Sequence, residues 1–249
     1  MRTETHLAGP RASRGRSGMV APVPAWSTPA PREVLMQTVP KSRYVVFLLL
    51  MVAGLAIDLA TKWWAFDPER GLGMPGPDRI WIWEGILSIE TSLNEGALFG
   101  MGQGWGVVFI ALSAVAVVGI GFWLFVAGAA RDWLLTVALG LITGGILGNL
   151  YDRMGWHELT WHHAFGGHEV GERVYAVRDW IHFQTPWFDW PIFNIADSLL
   201  VCGVGLLLFH AYVIEPRRVA AEKKQQAQAE DTSAASAAAK APTASKPSA

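Results

Sequence analysis

Ile192-Phe193-Asn194-Ile195-Ala196-Asp197-Ser198-Leu199-Leu200-Val201-Cys202-Gly203-Val204-Gly205-Leu206-Leu207-Leu208-Phe209 opens an apolar run that reaches Ile214. The run is close to the about 20 residues that a helix needs to cross the hydrocarbon core of a bilayer. A carboxylate, Asp197, sits one turn inside it. Inserting such a group costs roughly 2.5–3.5 kcal/mol on translocon scales, so it needs a partner or a use. Two readings stand at this point. Asp197 is a cap in the first helical turn, favoured by the helix dipole, or it is a working carboxylate that faces a cavity.

Three more apolar runs lie upstream: Tyr44–Ala60, which lengthens if it continues to Trp64, then Trp105–Ala130 and Trp133–Tyr151. Buried core helices are the alternative for each. Four such lengths in a chain that is 51% hydrophobic and 16% charged favour membrane spans. The 13 tryptophans agree, since Trp concentrates at membrane interfaces. A net charge of −1 gives no reason to expect nucleic acid. The single cysteine, Cys202, excludes an internal disulfide framework and a cysteine-rich metal site. The expected fold is a membrane all-α protein, a four-helix bundle with spans near 44–64, 105–130, 133–151 and 192–214. Residues 1–42 and 216–249 read as disordered cytoplasmic tails around a domain at 43–215. The first lacks the apolar core of a cleavable signal peptide, and the second is low-complexity Ala, Lys, Gln, Ser and Pro.

Four spans put both termini on one side. Eight near-membrane cations, Arg32, Lys41, Arg43, Arg131, Arg217, Arg218, Lys223 and Lys224, fall on that side against six, Lys62, Arg70, Arg79, Arg153, Arg173 and Arg178, on the other; by this modest bias the positive-inside rule makes the side of the termini cytoplasmic. The polar residues in or beside the spans then segregate. Asp58 and Lys62 end span 1, Asn149, Asp152 and Arg153 end span 3, and Asn194 and Asp197 begin span 4. Asn94 precedes span 2. All gather at the extracytoplasmic end. Asp58 with Lys62 and Asn149 with Arg153 are four residues apart, and Asn194 with Asp197 three apart, so each pair shares a helix face. Such faces turn toward the bundle interior or a water-filled cavity.

Between spans 1 and 2, Arg79-Ile80-Trp81-Ile82-Trp83 and Leu87-Ser88-Ile89-Glu90-Thr91 flank Gly85 and read as two short strands. They predict a small antiparallel sheet on the membrane surface. Asn94-Glu95-Gly96 follows, where glycine suits close backbone approach. The connection from Arg153 to Pro191 holds His157, His162, His163 and His168. Their spacing is not that of a His-Glu-x-x-His zinc helix, so the segment reads as a polar, partly ordered surface insertion without a metal. It also contains Asp179, which on its own is a solvated loop carboxylate.

If Asp179 and Asp197 meet, their chemistry is defined. Two close carboxylates share a proton and titrate as a pair. The ionised member takes a proton from water and the protonated one donates to the carbonyl under attack. Asn94, Asn149 and Asn194 are placed to orient such a pair, and Arg153 to brace helix ends, with Asp152 as a partner.

Five segments together resemble one family, the lipoprotein signal peptidases, or signal peptidase II. They are Asp58-Leu59-Ala60-Thr61-Lys62, Asn94-Glu95-Gly96-Ala97-Leu98-Phe99-Gly100, Gly148-Asn149-Leu150-Tyr151-Asp152-Arg153, Val177-Arg178-Asp179-Trp180 and Phe193-Asn194-Ile195-Ala196-Asp197-Ser198. The resemblance covers about residues 43–215. It implies an aspartic endopeptidase of the bacterial inner membrane with Asp179 and Asp197 as its catalytic pair. It implies supporting roles for Asp58, Lys62, Asn94, Gly96, Asn149, Arg153 and Asn194. The implied substrate is a prolipoprotein carrying diacylglycerol on the cysteine after its signal peptide, cut on the N-terminal side of that cysteine. Membrane lipid is the setting, globomycin the implied inhibitor, and no metal or other cofactor is implied. Two departures stand out: the long connection between Asp152 and Asp179, and Arg178-Asp179-Trp180 where the family tends to Val-Asp-Phe. A proton relay through Asp58, Lys62 and Asp197 in a transporter is the competing class. It needs polar groups at mid-depth, where spans 2 and 4 offer Ser113 alone, with His210 near the far end. A non-enzymatic scaffold would leave the polar ring without a purpose.

Overall fold

The computed structural model describes residues 38–96, 102, 104–164 and 167–240. The expectation for residues 1–37 and the motif residues Ala97 to Gly100 lie outside them. In chain order the elements are α1 (Lys41–Ala65), β1 (Ile80–Trp83), β2 (Leu87–Asn94), α2 (Gly106–Gly121), α3 (Trp133–Arg153), β3 (Val177–Thr185), β4 (Phe188–Asp189), α4 (Ile195–Phe209) and α5 (Glu215–Lys240). The protein is a multi-pass membrane protein, and among the described residues four helices are long and apolar enough to span. Val107, Val115, Val118, Val201 and Leu208 point outward, as lipid-facing positions do.

Helix α3 is the inner helix. Over half (56%) of its apolar stretch is buried, against 17%, 6% and 11% for α1, α2 and the α4 run. Small residues let the others approach it. A Cβ on Gly145 would lie 2.5 Å from the Ala196 carbonyl oxygen, and one on Gly148 2.3 Å from Asp58 Oδ2. The obstruction at Gly145 is α4 backbone, which cannot rotate aside. Gly145→Ala is therefore expected to cost about 1–3 kcal/mol, the usual range for overpacking. It should lower the thermal midpoint in detergent, whereas Gly205→Ala, which meets nothing within 4 Å, should leave it unchanged.

Several span boundaries differ from expectation: α1 begins at Lys41 rather than Tyr44 and ends at Ala65, and α3 runs to Arg153 rather than Tyr151. The second span ends at Val126, in a π-turn from Phe122, rather than at Ala130. Gly128 then adopts φ +81°, a left-handed stop. The fourth span starts at Ile195 rather than Ile192. Phe193 is still bridged to Ile181 of β3, and Asn194 ends that extended stretch by capping the helix.

The C-terminal segment expected to be disordered instead continues helically from α4 through Lys240. Ala, Glu, Lys and Gln are good helix formers, and a helix that is already nucleated extends cheaply. Arg218 also reaches Glu215 at 3.1 Å and Glu222 at 3.7 Å, three and four residues away.

The sheet has four antiparallel strands in the order β1-β2-β3-β4. The two expected strands are present. The other two lie in the connection read as loop, so Asp179 stands on a strand, opposite Ser92. The His-rich insertion is also more than a polar excursion. Trp161, Val174 and Ala176 form a small buried core with Met74, Leu93 and Leu159. Thr160 bridges to Arg173, and His168 lies between Glu95 at 2.5 Å and Glu172 at 3.1 Å.

Candidate active site

The site is assembled where the start of α4, the end of α3 and the near ends of β2 and β3 converge. Asn194 is the N-cap of α4. Its Oδ1 accepts from the Asp197 backbone N–H at 2.9 Å, and Asp197 Oδ2 accepts from the Asn194 N–H at 3.2 Å. This is a reciprocal capping box. The cap reading of Asp197 is thus correct locally, but it uses only one carboxylate oxygen. Oδ1 is directed elsewhere and accepts from Asn149 Nδ2 at 2.8 Å. Asp197 is half-buried and borders a cleft.

Asp179 is the more enclosed of the two, at 2% exposure, so the expectation of a solvated loop carboxylate does not hold. Both its oxygens are held by amides. Asn94 Nδ2 donates to Oδ2 at 3.1 Å, and Asn194 Nδ2 donates to Oδ1 at 2.6 Å. Burial, and then the charge of nearby Asp197, push the Asp179 carboxyl up to about 8. Lys62, Asn94 and Asn194 oppose that rise without cancelling it. Asp179 therefore keeps its proton at neutral pH.

Asn149 and Asn194 tie the two carboxyls together. Asn194 Nδ2 also donates to Asn149 Oδ1 at 3.1 Å, and Lys62 Nζ donates to the same oxygen at 3.0 Å. With Oδ1 accepting twice, the Asn149 amide has one orientation, and its Nδ2 must face Asp197. Beneath lies a charge cluster. Lys62 Nζ is 2.8 Å from Asp58 Oδ2 and 3.0 Å from Asp152 Oδ2. Asp58 Oδ1 accepts from the Ala196 N–H at 2.8 Å, meeting one of the free donors at the start of α4.

Asn94 turns its Oδ1 to the Gly96 N–H at 3.0 Å, and Arg153 Nη2 donates to the Gly96 carbonyl at 2.8 Å. Arg153 therefore secures the Asn94–Gly96 segment rather than pairing with Asp152. Asp152 takes Arg178 instead, with Nη2 at 2.7 Å. All nine singled-out residues, Asp58, Lys62, Asn94, Gly96, Asn149, Arg153, Asp179, Asn194 and Asp197, join one network. Asp152, placed in the polar ring at the end of span 3, joins the same network through Lys62, and its cation is Arg178, which sequence reasoning missed. The signal for Arg178 is that acid at the end of an apolar span, which requires a buried cation.

The cleft measures about 930 Å³. Asp179, Asp197, Asn94, Asn149 and Arg153 form its polar end. Ile146, Ile192, Phe193, Leu200 and Val201 line its apolar length.

The family model described as Signal peptidase (SPase) II matches residues 50–213. The chain is 46% identical over 187 residues to the lipoprotein signal peptidase of Rhodopirellula baltica, covering 74% of this chain and 79% of that protein. It is 35% identical over 170 residues to that of Methylorubrum extorquens, with 65% and 82% covered. A bacterial membrane enzyme solved in meso at 2.3 Å resolution superposes with a TM-score of 0.53 and 26% identity, over 67% of this chain and 87% of that one.

Proposed function

Since the chain belongs to the signal peptidase II family and is a protease that removes signal peptides from prolipoproteins, we propose that Asp179 and Asp197 are its catalytic pair. The scissile bond is the one on the N-terminal side of a cysteine that carries diacylglycerol. The observation that carries this reading is the Asn149–Asn194 bridge, which joins the two carboxyls at the polar end of one apolar cleft.

The signal segment lies along the apolar wall formed by Ile146, Leu200 and Val201. Asp179 holds the shared proton, because burial and the neighbouring charge raise it. Asp197 acts as the base and draws a proton from a water held between the two groups. As that water attacks, Asp179 donates to the carbonyl oxygen. On collapse the proton gained by Asp197 passes to the leaving amine of the lipidated cysteine, and Asp179 recovers its own. Atoms and charge balance with no covalent intermediate and no cofactor. Asn94 and Asn194 keep Asp179 aimed. Asn149, oriented by Lys62, does the same for Asp197. Arg153 fixes the Gly96 carbonyl, and with it the loop beside the pair.

The same reading puts the protein in the bacterial inner membrane with both termini cytoplasmic. The site then faces outward at the membrane edge, where an acyl-anchored cysteine lies. A cyclic peptide such as globomycin would occupy the same cleft.

The pH dependence tests the proton assignment. Asp179 is raised, so it is protonated below about 8 and charged above it. A general acid is lost on that side, so processing of a diacylglyceryl precursor should fall as pH rises through about 8. The decline should approach tenfold per pH unit. An activity that keeps rising through that range would mean that Asp179 is not the acid.

A further inference from the structure

Arg178 is the residue next to Asp179, and it is buried at 4% exposure. Side chains alternate along a strand, so Arg178 faces away from the cleft. Its Nε and Nη2 donate to Asp152 Oδ1 at 3.0 and 2.7 Å, and its own backbone N–H donates to Asp152 Oδ2 at 3.0 Å. A single carboxylate on the last turn of α3 thus takes both the main chain and the side chain of the residue before Asp179.

That carboxylate also receives Lys62 Nζ, which pairs with Asp58 and donates to Asn149 Oδ1. The three N–H bonds of Lys62 are therefore all committed. Asp58, Lys62 and Asp152 are 0% exposed. Two acids and two bases make this buried cluster neutral, and Arg178 supplies the second positive charge. Without it, two carboxylates would compete for Lys62 and draw it from Asn149, the residue that orients Asp197.

We propose that Arg178 is a positioning residue for peptide cleavage: by clamping the start of β3 to Asp152 it aims Asp179, and by balancing Asp152 it leaves Lys62 free to hold Asn149 against Asp197. This rests on Asp179 and Asp197 being the catalytic pair. The grip depends on a planar fork of donors, which lysine lacks.

The test uses the purified full chain in detergent with a diacylglyceryl-modified precursor peptide. Folding is followed by circular dichroism and thermal unfolding. Arg178→Lys keeps the charge and should fold. Its kcat is expected to fall about 10-fold with KM within about twofold, because small misplacements of a reacting group act on the chemical step. Arg178→Met should lose about 100-fold in kcat, on the same ground, and should also lower the thermal midpoint. Combining Arg178→Met with Asp152→Leu removes one charge of each sign and should restore much of the midpoint. It should leave kcat low, which a merely structural role would not do. Folded R178K or folded R178M/D152L with kcat within twofold of wild type would overturn the proposal. Wild-type activity in D179N would sink the catalytic pair itself, a separate result that does not involve Arg178.

Discussion

Changing either Asp179 or Asp197 to Asn is expected to reduce processing of a lipidated precursor by at least about 1,000-fold, within the range attributed to positioned acid–base groups. Each carboxyl has a distinct task, so neither can stand in for the other. Asn cannot take a proton from water in place of Asp197, and it is too weak an acid to replace Asp179. The substitutions keep size and shape, which limits the structural cost. At Asp197, one amide oxygen can still serve the capping box with Asn194. Its NH2 would then face Asn149 Nδ2, whose orientation is fixed by the two donors on Asn149 Oδ1. At Asp179, both oxygens accept from amide donors, so an Asn there also sets one donor against another. A mismatch of this kind costs about 1–3 kcal/mol, too little to unfold the bundle. Folded but inactive variants are therefore expected. Precursor and product separate by mobility, and a folded variant that keeps normal processing would remove that residue from the chemistry.

Replacing Lys62 by Met is expected to produce a larger loss of stability than Gly145→Ala or either Asp→Asn change. Lys62 has no solvent to fall back on, and it lies within 3.0 Å of Asp58, Asp152 and the Asn149 oxygen. Its removal leaves two buried carboxylates with Arg178 alone to balance them. Breaking a buried ion pair from one side costs about 3–5 kcal/mol, a large part of the about 5–15 kcal/mol that keeps a typical protein folded. The variant should show a sharply lower thermal midpoint or fail to accumulate, and processing should be lost. Removing Asp58 at the same time, as D58L/K62M, leaves Asp152 and Arg178 as a neutral pair. Thermal unfolding should show the double variant to be more stable than K62M alone. If the two changes simply add, the cluster is not coupled in the way the distances indicate.

The spans were legible because apolar length is a local property of the chain. So was the gathering of polar residues at one end, since helix order alone puts three helix ends together. Asp197 could be found from its cost inside an apolar run. Asp179 could not, because its burial depends on pairing with Ser92 across the sheet and on Asn194, far along the sequence. The strand carrying it had its own signal in Trp180-Ile181-His182-Phe183, masked by the adjacent charges of Arg178 and Asp179. The side that Arg178 faces is set by strand register, which local sequence does not display. The same holds for Asp152: adjacency in sequence points to Arg153, whereas α3 turns the two residues toward different partners, Arg178 and Gly96. The His-rich insertion looked polar because its core residues, Trp161, Val174 and Ala176, are spread among charged ones and close only with Leu93 and Met74. The low complexity of the C-terminal segment points to disorder, while its helix-forming composition and its continuity with α4 decide its conformation.

The most direct test of direct water attack at the lipidated cysteine is mass spectrometry of the products formed in ¹⁸O-labelled water with a competing amine nucleophile present. The pair of aspartates predicts a single cut before the diacylglyceryl cysteine and one ¹⁸O in the new carboxyl group of the signal peptide. It also predicts no signal peptide captured by the amine. Capture by the amine, which would reveal an acyl-enzyme, or a cut at any other bond would contradict it.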